Sequence, residues 1–241
     1  MWPSRSPREI PPLRLPTGQT IPVTVRVSPR ARRMALRLHP AVDSVELVLP
    51  AGASLAVALG FLDGKRGWIA AQVARMPPRL PFVDGATIPV LGQGRELVLH
   101  ELDRGRRPVF RLTQTQIEVT GDTGSLARRT RTGLAELARG MLADKTRTLA
   151  RRLGKTVARV SVGDPHSRWG SCASSGNIRY SWRLILAPEP IMDYVVAHEV
   201  AHLAEMNHSQ HFWRLVADLD PGHDQARAWL KRNGPQLLRY G

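Results

Sequence analysis

Val195-Val196-Ala197-His198-Glu199-Val200-Ala201-His202-Leu203-Ala204-Glu205-Met206-Asn207-His208 is the stretch on which the reading of this chain turns. His198 and His202 are four residues apart, so on an α-helix their imidazoles stand one turn apart on one face. Two nitrogens so placed can share one metal ion at about 2.0–2.1 Å each. Glu199 follows the first histidine, near such a metal without having to bind it. A carboxylate there can take a proton from water that the metal has acidified. Val195, Val196, Val200 and Leu203 make this a largely buried helix, where unpaired polar groups are costly. The pattern predicts an active helix with one Zn2+ ion, bound by histidine rather than sulfur. Cys172 is the sole cysteine, which leaves neither a cysteine knuckle nor an intramolecular disulfide.

A third ligand must come from outside the pair. His208 lies six residues past His202, beyond Met206-Asn207, where the helix can end; asparagine tolerates the left-handed conformation that often closes one. A turn there folds His208 back and leaves an open tetrahedral site of three histidines and one free position. His211 is the competing ligand, three residues further on at the start of the next helix. His223, after Asp220-Pro221-Gly222, is a weaker rival. Spacing favours His208.

Outward from this helix, Pro188 opens it at a first-turn position, with Glu189 well placed for the helix dipole. A strand over 177–186 precedes it, then a loop holding Ser167-Arg168-Trp169-Gly170-Ser171-Cys172, then a strand over 157–162. Residues 125–153 read as one long helix rich in alanine, leucine and arginine, its arginines on a solvated face. Thr120-Gly121-Asp122-Thr123-Gly124 breaks the composition and is the expected domain boundary. Upstream, alternating runs at 22–27, 34–38 and 45–49 predict strands. Ser54 caps a helical stretch that Pro77-Pro78 stops, and four more strands follow at 86–91, 95–101, 109–113 and 117–120. The fold expectation is α+β: a flexible arm over 1–20, a β-rich N-terminal region over 21–121, and a catalytic domain over 122–241.

The chain has 241 residues, 42% of them hydrophobic, enough for a buried core. No apolar run approaches the roughly 18 residues needed to span a bilayer. The opening MWPSRSPREIPPLRLP has charge and proline but no apolar middle, so the expected compartment is the cytoplasm and no membrane partner is expected. The formal net charge is +15, and 35 basic residues less four lysines leaves 31 arginines. Such a balance suits a polyanion partner such as nucleic acid. The arginines are spread from Arg5 to Arg239 rather than held in one tract, which equally fits a genome rich in arginine codons.

The stretch from His198 to Trp213 resembles the YgjP-like zinc metallopeptidases, relatives of the SprT-like proteases. Arg168-Trp169-Gly170-Ser171-Cys172 is similar to that family's tryptophan-glycine-serine-cysteine loop, and the two motifs stand in the expected order. The likeness is strongest over residues 155–232 and looser over the N-terminal β region, at 30–38 and Trp68-Ile69. It implies a zincin-like catalytic domain, zinc ligands at His198, His202 and His208, a general base at Glu199, and a polypeptide substrate. Metzincin proteases share the histidine spacing, but they carry glycine where this chain has Glu205 and need a downstream methionine turn; no methionine follows Met206. The bacterial endoribonuclease of ribosomal RNA maturation has glycine in place of the glutamate. The expectations from a different class are a nucleic-acid-associated protein with a structural or vestigial zinc site, or a metal-dependent ribonuclease.

Around the site, the strand at 177–186 is expected at a sheet edge, where it would pair with an extended substrate. Trp169 and Cys172 either shape the cleft or pack in the core. Tyr180 and Tyr194 are candidate hydrogen-bond donors to an oxyanion, and Phe212 and Trp213 are expected to pack the next helix onto the active one.

Overall fold

Period-two alternation builds the first part of the chain. The computed structural model describes residues 8–39, 43–102, 109–165 and 168–241, which fall into two compact units, Met1–Pro78 and Arg79–Gly241. In the first unit, β1 (Arg8–Arg14), β2 (Thr20–Ser28), β3 (Ala35–His39) and β4 (Ser44–Pro50) form a sheet in the order β1-β2-β4-β3. Ile21, Val23 and Val25 of β2 and Val45, Leu47 and Leu49 of β4 point to one face, a side-chain period of two. Against it pack Ala58 and Leu62 of α1 (Leu55–Asp63) and Ile69 of α2 (Arg66–Ala74). Ser54 caps α1 by accepting the Val57 N–H at 3.2 Å, as its position predicts.

The arm expected over 1–20 is corrected from residue 8 onward; residues 1–7 lie outside the described residues. Arg8–Arg14 is a strand despite Pro11-Pro12. It sits at the sheet edge, and its register with β2 shifts between Ile10 and Leu13, the kind of place where proline's missing N–H is tolerated.

In the second unit, β5 (Thr87–Val90), β6 (Gln93–His100), β7 (Phe110–Leu112) and β8 (Gln116–Thr120) form a sheet in the order β5-β6-β8-β7. Ile88, Val90, Leu97, Ile117 and Val119 share one core with the long helix α3 (Thr123–Arg152). Asp122 starts α3 with a capping box: its carboxylate accepts the Ser125 N–H at 2.8 Å while the Ser125 hydroxyl receives the Asp122 N–H. Leu126, Leu134, Ala138 and Leu142 line the buried face, and Arg128, Arg131, Arg139 and Arg147 face solvent. The break expected as a domain boundary near residue 121 therefore falls inside this unit. The chain divides instead at Pro78, because the second sheet shares its core with α3.

Three short strands follow: β9 (Arg159–Gly163), β10 (Gly170–Cys172) and β11 (Asn177–Ser181), in the order β10-β11-β9. The strand expected over 177–186 stops at Ser181. There the Ser181 hydroxyl accepts the Arg183 N–H and starts a 3-10 turn, Trp182–Leu186. Helices α4 (Glu189–Ala201), α5 (Gln210–Leu219) and α6 (His223–Leu237) complete the unit. Lys145 of α3 fixes the start of α4, with Nζ 2.6 Å from Glu189 Oε1 and 2.7 Å from Asp193 Oδ1. Arg183, 2% exposed, holds the C-terminal end: it pairs with Asp164 through two nitrogens and donates to the Leu237 and Tyr240 carbonyls. Among the described residues no helix is long and apolar enough to cross a membrane.

Candidate metal centre

α4 is buried along most of its length; Ile191, Met192, Val195, Val196, Val200 and Ala201 are all core residues. His198 and Glu199 lie in its last turn, and His202 caps it. The helix ends there, well before the expected stop at Met206-Asn207. The reason is a tightening of the backbone: Leu203 and Ala204 donate to the carbonyls of Val200 and Ala201, three residues back. Asn207 does not take the expected left-handed conformation; among the described non-glycine residues only Asp43 and Leu91 have positive φ. Asn207 instead accepts the Ser209 N–H at 2.9 Å, and the Ser209 hydroxyl caps α5. This turn brings His208 back over the end of α4.

His198, His202 and His208 each offer one ligand atom, and these atoms lie within 4.8 Å of one another. His198 Nε2 and His208 Nε2 are 3.1 Å apart. Tetrahedral coordination with metal–imidazole bonds of about 2.1 Å separates ligand atoms by about 3.4 Å, so the set fits one metal ion. His202 Nδ1 lies 3.0 Å from the Glu205 carbonyl, which fixes the ring and leaves Nε2 free for the cluster. His198 Nδ1 is buried and makes no hydrogen bond, so that ring's polar contact is at Nε2. Burial, then the neighbouring His202 and His208, push the His198 pKa down to about 4, which keeps it in the neutral form a metal requires. His211 is exposed at the start of α5 and His223 stacks on Trp213; neither joins the cluster.

Phe212 is fully buried beneath all three histidines. Its ring centroid lies 4.9 Å from that of His198, 4.5 Å from His202 and 4.8 Å from His208. Trp213 flanks His198 and His208 at 5.8 and 6.0 Å. The hydrophobic pair thus supports the imidazoles as well as docking α5.

Glu199 is 5% exposed, and burial raises its pKa to about 7 against the opposing charge of Arg168. It packs on the backbone of β10: a Cβ on Gly170 would stand 2.5 Å from Glu199 Oε1. β10, expected as part of a loop, is one edge of the sheet, and β11 is the central strand. The expectation of β11 as an edge for substrate is therefore corrected. Ser181 donates to the Trp169 carbonyl and Ala173 to that of Asn177. By the alternation of an antiparallel ladder, Gly170 and Cys172 then turn their N–H and C=O groups to the open edge. Ser167 lies outside the described residues. Tyr180, an expected oxyanion donor, is fully buried with its hydroxyl 2.9 Å from Thr146 Oγ1, and so faces the core. Tyr194 packs edge-on against His198 at 6.0 Å. Trp169 packs on Gly234. Burial, then Glu199, push the Cys172 thiol up to about 11, and Cys172 stands outside the histidine cluster.

A family profile described as YgjP-like, metallopeptidase domain, matches residues 32–233, most of the chain. The chain belongs to the YgjP-like metallopeptidase family. That membership spans both units and implies a divalent metal. One relative, the UTP pyrophosphatase of Escherichia coli strain K12, is 40% identical over 48 residues, 18% of this chain and 29% of the relative. The chain thus matches less than a third of that protein's length. Among solved structures, the chain is similar to the metallopeptidase zymogen of Pyrococcus abyssi abylysin, with 25% identity, a TM-score of 0.35, and coverage of 41% of this chain and 97% of that one.

Proposed function

We propose that this YgjP-like protein is a zinc-dependent peptidase, with His198, His202 and His208 as metal ligands and Glu199 as general base. The observation that carries the reading is the convergence of three imidazoles at the end of α4, with the one carboxylate of that turn buried against β10. Zinc bound there supplies Lewis acidity, polarising a carbonyl and acidifying water. The chain's own part is positional and basic. Phe212 and the Glu205 carbonyl hold the rings. Gly170 and Cys172 offer backbone groups along the open edge of β10, where an extended polypeptide can pair with little demand on its sequence. Glu199, with its pKa near 7, takes a proton from the attacking water and returns it to the leaving amine. Glu199→Gln should retain the metal and lower turnover of an unfolded polypeptide by about 10²–10⁴-fold, the usual size of a general-base contribution. Unchanged turnover with full metal content would remove Glu199 from the role.

A second reading keeps the same machinery and changes the bond. The relative named as a UTP pyrophosphatase favours a phosphoanhydride substrate, and a metal-bound water with a general base serves attack on phosphorus as well as on a carbonyl carbon. Parallel assays on unfolded polypeptide and on nucleoside triphosphates decide between the two.

A further inference from the structure

The solvent-facing side of the β10-β11-β9 sheet carries a concentration of positive charge that the peptidase reading leaves unused. Ser171, Arg179 and Ser161 stand in one row across the three strands, because Ser171 pairs with Arg179 and Arg179 with Ser161. Arg159 lies one step along, paired with Asn177, on the same face as Arg179. Arg168 joins them from just ahead of β10. Together these side chains line a groove of about 660 Å³ that no acidic side chain lines. Such a gathering of like charge is unfavourable on its own account.

One detail separates it from an ordinary solvated arginine face. Arg179 lies flat over the backbone of Gly163, where a Cβ would stand 2.7 Å from Arg179 Nε; the missing side chain gives the guanidinium its place. The groove and Glu199 lie on the two sides of β10: Ser171 turns to the groove with Arg179, while the Cβ direction of Gly170 meets Glu199 on the core face.

We propose that this groove is an oxyanion subsite that binds a phosphate chain on the solvent-facing side of the sheet. Guanidinium groups fork onto phosphate oxygens through paired N–H donors. Three of them, with the Ser161 and Ser171 hydroxyls and the Asn177 amide, match a ligand with several adjacent charged oxygens better than a single carboxylate. The subsite goes beyond the peptidase reading and stands apart from the histidine cluster.

The test separates binding from turnover. Inorganic tripolyphosphate is titrated calorimetrically into the full-length protein at fixed ionic strength, for the wild type, Arg159→Met/Arg179→Met, and a charge-matched control on α3, Arg139→Met/Arg147→Met. The groove variant should bind about tenfold more weakly or worse, and the control should bind as the wild type does. Arg159→Lys/Arg179→Lys keeps the charge but loses the forks, and should fall between. Equal weakening in groove variant and control, or none in either, overturns the subsite. A glutamate-rich peptide of equal charge is the second arm: tighter binding of that peptide through the same arginines overturns the phosphate assignment. Binding in Glu199→Gln should match the wild type. If wild-type protein binds tripolyphosphate in the groove yet hydrolyses no nucleoside triphosphate, the subsite stands and the phosphoanhydride reading falls.

Discussion

Gly170 and Glu199 are packed so closely that a methyl group on Gly170 would stand 2.6 Å from Glu199 Cγ and 2.7 Å from its Cδ. The carboxylate is therefore placed by the absence of a side chain on the neighbouring strand. Gly170→Ala should push Glu199 aside while leaving the three histidines untouched. Turnover should fall about 10²-fold, the scale of a misplacement of about 1 Å, with metal content unchanged. A variant with full activity would show that Glu199 need not sit against β10.

The third ligand is decided by a pair of substitutions. His208→Ala should lose most of its affinity for zinc, whereas His211→Ala should keep it, since His211 is exposed and outside the cluster. Competition with a chromogenic chelator reads both. Retention of zinc by His208→Ala and its loss from His211→Ala would transfer the role.

Lys145 joins two helices far apart in sequence, bridging Glu189 and Asp193. Burial disfavours its charge, but the Asp193 and Glu189 hydrogen bonds more than compensate, so its pKa is raised. Lys145→Met should cost about 1 kcal/mol, within the range of exposed to partly buried pairs, and speed amide exchange in the first turns of α4. Unaltered exchange there would show that the core alone seats the helix.

Acid should act on the first unit through Glu46. Burial pushes its carboxyl up, but the Arg26 guanidinium, donating from Nε at 2.8 Å, more than offsets this and leaves the pKa below the ordinary value. A carboxyl depressed in the folded state stabilises fully above its unfolded pKa of about 4.3 and loses that contribution as pH falls through the lower, folded value. Glu46→Gln should thus melt earlier than wild type at pH 7, by about 1 kcal/mol of stability, and the gap should close towards pH 3. A gap that stayed constant with pH would mean that the pair contributes nothing through its charge.

What was legible in the sequence follows how local each signal is. The i, i+4 histidines, the long apolar face of α3 and the alternating strands depend on near neighbours, and each fell on a helix or strand of the expected kind. Pro11-Pro12 hid β1, because proline argues against a strand unless the strand is known to be an edge. β10 is three residues long and contains a glycine, too short for any periodicity to register. The buried Arg183 clamp was invisible for a different reason: its partners are Asp164 and the carbonyls of Leu237 and Tyr240, and only the closed fold brings them together. The role of β11 as a central strand likewise depends on pairings on both its sides.

The ring of Phe212 touches each of the three imidazoles, and it belongs to the helix that begins just after the third of them. One side chain therefore ties the candidate ligand set to the docking of α5. Disturbing that helix should slacken all three rings together; with a metal held there, its release and the unpacking of α5 would form one cooperative event, and the ion would clasp the C-terminal helices as much as they clasp it.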